Sequence, residues 1–253
     1  MSKRMENERE RPRWWAQAIL IGAIIAAVLM VMSGLGTRLG MWDYSGGFTV
    51  ASGGVMLAAA GFFLGIVAYV FCLFRGLRSE RSGILIAVLI CSVLLGQWGL
   101  QMNAVSSVPA IHNISTDIQD PPAFDAIVAI REAEGANPLA YDAEVLAPQQ
   151  KAAYPWVATL NTSSSPAQTL NSAVSVLEDL GLDVVKVSFE NGMVEATDTT
   201  FWFGFKDDVV VRVRGADGGS GSVVDVRSVS RVGRSDLGVN AKRIGAILAG
   251  LRS

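Results

Sequence analysis

Residues 18–32 read AILIGAIIAAVLMVM and lie in a stretch, 14–32, with no charged side chain. Roughly 20 apolar residues in a helix cross about 30 Å of hydrocarbon, so this is a first membrane span. A second uncharged stretch, 44–74, has the apolar body FTVASGGVMLAAAGFFLGIVAYVFCLF, long enough to cross with a tilt. The third, 83–102, is GILIAVLICSVLLGQWGLQM, with Gln97 and Gln101 suited to an interfacial exit. No comparable run follows Asn103.

Orientation follows from Lys and Arg in the short flanks, which stay on the cytoplasmic side. Lys3, Arg4, Arg9, Arg11 and Arg13 precede the first span, and Arg75, Arg78 and Arg81 link the second to the third. The link between the first two holds only Arg38, and the next basic residue after span three is Arg131. The chain therefore reads as a multi-pass protein of the inner (cytoplasmic) membrane. Residues 1–13 form a cytoplasmic flank, 14–102 three transmembrane helices, and 103–253 an extracytoplasmic domain, periplasmic in a Gram-negative cell. A cleaved signal peptide is the rival reading of the first span, but Met32-Ser33-Gly34-Leu35-Gly36 lacks an A-x-A site.

Composition agrees. The 253 residues are 51% hydrophobic and 17% charged, with a mean hydropathy of +0.38, against about 25% charge in soluble domains. A net charge of −2 and a pI near 5.5 give no basic excess for nucleic acid. One histidine and two cysteines exclude multi-ligand His/Cys metal sites, haem motifs and a disulfide framework, and no cofactor is expected. Cys72 and Cys91 fall in the spans, leaving the outer domain thiol-free. Gly61 and Gly65 form a GxxxG, read as close packing within the three-helix bundle in preference to homodimerisation.

The outer domain holds 12 Lys and Arg against 18 Asp and Glu. Residues 106–124, with Pro109, Pro121 and Pro122, read as an extended connector. Ser165 and Pro166 open a helix whose apolar side is Leu170, Val174, Leu177 and Leu180, and Gly181 stops it. Residues 182–190 alternate as a strand, with Val185, Val187 and Phe189 on one face. Asn191-Gly192 turns that strand back as a hairpin. Residues 193–205 return, broken near Asp198; 209–214 form a third strand; a GADGGSG loop leads to a fourth, 222–232; and a last helix spans 237–251. The expected class is α+β: three N-terminal transmembrane helices, then a two-layer domain with an antiparallel sheet and helices on one face.

The densest polar run is 225–240, DVRSVSRVGRSDLGVN. Alternation puts Asp225, Arg227 and Arg231 on one face, and the neighbouring strand adds Arg212 and Arg214. Four arginines beside one aspartate could grip phosphate or carboxylate with paired hydrogen bonds. The structural alternative is an Arg/Asp lattice binding the sheet together. Where this run enters the last helix, Ser235 or Asp236 is the expected cap. His112, the single histidine, would have to serve any Ser/His/Asp site, with Asp117 as orienter, yet no nucleophile motif accompanies it. Local hydrogen bonding of His112 is the simpler reading, and residues 137–141 and 149–155 read as loop anchors for aromatics.

IHNISTD, DPPAF, NPLAY, QQKAAYP, FWFGFKDDVVVRVR and DVRSVSRVGRSDLGVNAKRI, in that order, resemble domain-of-unknown-function family fourteen ninety-nine over residues 109–252. Asn113 and Ser115 stand where that family has Asp and Thr. The resemblance implies membership and a shared fold, with no activity, cofactor or catalytic residue. The expected function is a binding or scaffold module in the cell envelope. Its partners are membrane lipids, an anionic envelope ligand such as a headgroup or glycan, or an inner-membrane protein, and not nucleic acid. Arg212, Arg214, Asp225, Arg227 and Arg231 are the ligand-binding candidates. The alternative is an envelope hydrolase using His112 and Asp117.

Overall fold

A computed structural model describes residues 13–252. The chain divides after Asn103 into two compact units, with Trp202–Gly204 grouped with the first. Lys3, Arg4, Arg9 and Arg11, on which part of the orientation argument rests, lie outside the described residues.

The first unit contains three helices long and apolar enough to cross a membrane: α1 (Trp14–Arg38), α2 (Tyr44–Phe74) and α3 (Arg78–Ser107). Asp43 starts α2 by accepting the Gly46 N–H at 2.7 Å. The packing is inverted relative to a soluble bundle. Small residues (Ala23, Ala26, Ala58, Ala87 and Cys91) form the centre, while Phe63, Val67 and Val93 point outward, each about 70% exposed. Lipid tails solvate such side chains as well as a core would, so close backbone approach drives the association. Gly61 and Gly65 serve this directly: a Cβ there would lie 3.0 Å from Cys91 Sγ and 2.6 Å from Val88 Cγ2 of α3. Arg13 pairs with Glu80 at 3.5 Å, so the start of α1 and the start of α3 share one end of the bundle. Arg75, Arg78 and Arg81 flank that end in sequence, and Arg38 closes α1 at the other.

The second unit is the expected α+β domain. Its elements are β1 (Asn113–Ser115), α4 (Ala126–Glu134), α5 (Ala143–Ala153), β2 (Leu160–Thr162), α6 (Pro166–Asp179), β3 (Asp183–Ser188), β4 (Met193–Thr199), β5 (Lys206–Gly215), β6 (Ser222–Ser230) and α7 (Val239–Gly250). The sheet is antiparallel in the order β1-β6-β5-β4-β3, with β2 also paired to β6. Ser165 and Gln168 form a reciprocal capping box on α6. Gly192 takes φ +61° in the β3–β4 turn, and a Cβ there would meet the Val213 carbonyl at 2.3 Å. Both the cap and the hairpin are as the sequence indicates.

Leu170, Ala173 and Leu177 of α6 and Ala241, Ile244, Ile247 and Leu248 of α7 bury one sheet face with Val194, Val209, Val211, Val213, Val224 and Val226. The opposite face is covered too: Phe124 and Ile127 pack on Val210 and Val229. The arginine-bearing side of β5 and β6 is therefore largely interior.

Three local readings change. Residues 126–134 and 143–153 are helices, so Gln149 to Ala153 finish α5 and are not a loop anchor. Helix α3 runs to Ser107 and takes the start of the supposed connector. A bulge between Val184 and Lys186 breaks the alternation of β3: Val184 and Val187 face the core, and Val185 and Phe189 are exposed.

Candidate functional site

The register of β5 and β6 sets Arg212 opposite Asp225 and Val210 opposite Arg227, and the face divides into two ionic clusters with Arg227 between them. In the first cluster Asp225 is fully buried. It accepts from Arg214 Nη2 at 2.6 Å, Arg212 Nη2 at 3.3 Å, Thr159 Oγ1 at 2.6 Å and Thr116 Oγ1 at 3.1 Å. Arg212 also reaches Asp117 at 3.2 Å and Asp120 at 2.8 Å.

The second cluster centres on Asp208, also fully buried. Arg131 Nη1 donates to it at 2.6 Å, Arg231 Nε and Nη2 at 2.9 and 2.7 Å, and Thr197 Oγ1 at 2.7 Å. Arg231 Nη1 donates to Glu134 at 2.8 Å, as does Lys206 at 2.8 Å. Burial pushes the Glu134 carboxyl up, but the Lys206 and Arg231 hydrogen bonds win and hold it below the ordinary range. Burial also opposes the charge of Arg231, and the Asp208 and Glu134 contacts outweigh it, raising that guanidinium.

Arg227 has no carboxylate partner among the described residues. Its Nε donates to Asn113 Oδ1 at 3.0 Å, Nη1 to the Pro122 carbonyl at 3.1 Å, and Nη2 to the Leu139 carbonyl. The guanidinium carbon lies 5.5 Å from the Phe124 ring centre and 5.9 Å from that of Tyr141. Burial therefore wins here: Arg227 is pulled down to about 10. Burial likewise pushes the Tyr141 hydroxyl up to about 12, against the pull of Arg227. An open cleft of about 380 Å³ beside this lattice is lined by Val128, Arg131, Glu132 and residues 135–139.

His112 and Asp117 are not hydrogen-bonded to each other. His112 Nδ1 lies 3.4 Å from the Arg234 carbonyl, and Asp117 turns to the Gln119 and Asp120 N–H groups and to Arg212. At the start of α7 the Asp236 carboxylate accepts the Gly238 and Asn240 N–H groups, each at 2.9 Å, and so takes donors an anion would use. Burial raises its pKa while those hydrogen bonds pull the other way. No group of three His, Cys, Asp or Glu among the described residues is placed to hold a metal ion.

Several central residues carried no sequence signal. Arg131 comes from α4, 77 positions before Asp208. Glu195 of β4 is buried and accepts the N–H groups of Asp125, Ala126 and Ile127 at 2.9, 3.2 and 2.9 Å, capping α4 from another element. Gln150 of α5 exchanges two hydrogen bonds with the Ser115 backbone and so closes the free edge of β1. On the α7 side of the sheet Arg243 bridges Asp198 and Asp207.

A family model described as a protein of unknown function (DUF1499) matches residues 113–251. No curated protein matches the chain.

Proposed function

The chain belongs to the DUF1499 family, whose description assigns no activity, and we propose that its second unit is a binding or scaffold module held outside the cytoplasm by the three helices. One observation carries this reading: the polar residues of the quoted sequence blocks are spent on each other inside the fold. Arg212, Arg214 and Asp225 pair in one cluster and Arg231 joins another; Asp117 divides between its own turn and Arg212, and His112, contrary to the local bonding expected of it, faces the Arg234 carbonyl 122 residues on. Such a domain offers a rigid surface and not a reactive centre. The orientation is supported by Arg13, Arg75, Arg78 and Arg81 at one end of the bundle against Arg38 at the other. A phosphatase reporter fused after Ser253 should be active only if exported; activity of a cytosolic reporter at the same site would overturn the placement.

A second reading, an anionic envelope ligand, is favoured by Arg227, whose charge no carboxylate balances. The full chain in nanodiscs, titrated with glycerol phosphate as headgroup mimic, should melt higher with ligand. Arg227→Gln, compared with its own ligand-free melting point because it leaves the Asn113, Pro122 and Leu139 acceptors without their donor, should abolish that shift; an unchanged shift would remove Arg227 from the site, and no shift in the parent chain would remove the ligand.

A further inference from the structure

The helices on either side of the α2–α3 link are longer than a bilayer core is thick. At 1.5 Å per residue the 31 residues of α2 span about 46 Å, against roughly 30 Å of hydrocarbon. The apolar body of α2 ends at Phe74 and that of α3 begins at Gly83. Arg75, Arg78 and Arg81, between those two points, therefore stand at the level of the phosphates of one leaflet.

The first unit does not balance these charges. Its carboxylates among the described residues are Asp43, at the far end of α2, and Glu80. Glu80 is buried and already engaged: Ser79 Oγ donates to it at 2.7 Å and Arg13 pairs with it at 3.5 Å. Arg81 turns its Nη2 to the Cys72 carbonyl at 3.0 Å and so closes the last turn of α2. Arg75 and Arg78 are exposed and have no carboxylate partner among the described residues. The Arg75 guanidinium carbon lies 5.9 Å from the Phe71 ring centre, and Phe71 meets Trp15 edge-on at 6.3 Å. Arg78 follows across the tight turn at Gly76, where φ is +68°. Trp14, 79% exposed, and Phe74, 86% exposed, add ring surface beside Arg13 and Arg75, as a lipid–water interface favours. Two unmatched guanidiniums at phosphate depth, bordered by exposed rings, fit a phosphodiester whose oxygens accept their hydrogen bonds and whose acyl chains run along the helices. An anionic headgroup gains the full attraction, whereas a zwitterionic one brings its own cation.

We propose that Arg75 and Arg78 bind the headgroup of an anionic phospholipid at the α2–α3 link. The site lies wholly within the first unit, so it stands or falls separately from the reading of Arg227. The test is native mass spectrometry of the full chain in detergent, given phosphatidylglycerol or phosphatidylcholine at equal concentration. The parent chain should retain phosphatidylglycerol in preference to phosphatidylcholine. One basic residue beside an anionic surface strengthens attachment roughly fivefold, so Arg75→Gln with Arg78→Gln should weaken phosphatidylglycerol binding roughly 25-fold. Arg252→Gln, exposed in the second unit, should leave it unchanged. Equal retention of the two lipids, or undiminished phosphatidylglycerol binding in the double variant, overturns the proposal. Displacement of the bound lipid by glycerol phosphate would overturn it too, giving the site to a soluble phosphate. If circular dichroism shows that the double variant loses helix, Arg78→Gln decides alone.

Discussion

Replacing Asp208 by Asn keeps the shape of the lattice and deletes its charge. The carboxylate accepts four hydrogen bonds from three side chains, all without solvent access at Asp208 itself. Arg231 would keep Glu134, but Arg131, 3% exposed, would lose the one carboxylate it pairs with among the described residues and keep the carbonyls of Asn137, Val229 and Ser230. Leaving one member of a buried pair uncompensated costs about 3–5 kcal/mol, a large share of the roughly 5–15 kcal/mol that holds a domain folded. The expected result is destabilisation of that size, read by pulse proteolysis of the full chain in nanodiscs across a urea series, since a two-unit chain does not melt as one step. Asp217→Asn, on the exposed loop, should stay within about 0.5 kcal/mol of the parent. Replacing Asp208, Arg131 and Arg231 together by Leu, Met and Leu should recover most of the loss, because no buried charge is then orphaned. An Asp208→Asn chain as stable as the Asp217→Asn control would refute the structural role of the lattice.

Glu195→Gln removes the anion from the start of α4 and should cost about 1–2 kcal/mol, with hydrogen exchange faster at residues 125–127 and unchanged in β6; uniform exchange would argue against a dedicated cap. Asp236 has a raised folded pKa, caused first by burial. Its contribution is therefore favourable below the unfolded value and lost as pH rises through the folded one. Asp236→Asn should gain on the parent between pH 4 and pH 7 in denaturation midpoint, and a constant difference would contradict the burial. Gly65→Leu drives a side chain into Val88 and should lower the unfolding temperature of the helices in detergent without altering oligomeric size; dissociation of a dimer would instead make Gly61 and Gly65 an intermolecular seam.

The legible parts of the fold were those whose signal is local. Three charge-free runs, the Ser165-Pro166 cap, the Asn191-Gly192 turn and the alternation of residues 209–214 each require only neighbours in sequence. The short helices α4 and α5 escaped because their start signals are weak or elsewhere: α4 is capped by Glu195, about 70 residues away. Alternation placed Arg227, Arg231 and Asp225 correctly on one face but could not say whether that face meets water. The answer depends on Phe124 and Ile127, which arrive from the entry segment and α4 to bury it. The matching acids were equally hidden, since Asp208 and Glu134 meet Arg231 only through tertiary packing.

The adjacent acids Asp207 and Asp208 of β5 show what this arrangement specifies. Successive strand residues point to opposite faces, so Asp207 reaches Arg243 under α7 while Asp208 reaches Arg131 and Arg231 on the other side. A one-residue slip of β5 against β6 would exchange the faces of both acids. Each would then leave its arginine behind and enter the apolar layer of the opposite face, Asp208 beside Val224 and Val226 and Asp207 beside Val229, Phe124 and Ile127. The apolar pattern alone opposes such a slip weakly, because residues 209–211 are valine on both faces of the strand. With no cysteine in the second unit to fix the pairing covalently, buried charge is the feature that distinguishes one register from the next. That role accounts for why three arginines, Arg131, Arg231 and Arg243, are carried mostly out of water at a cost a purely apolar sheet would not incur.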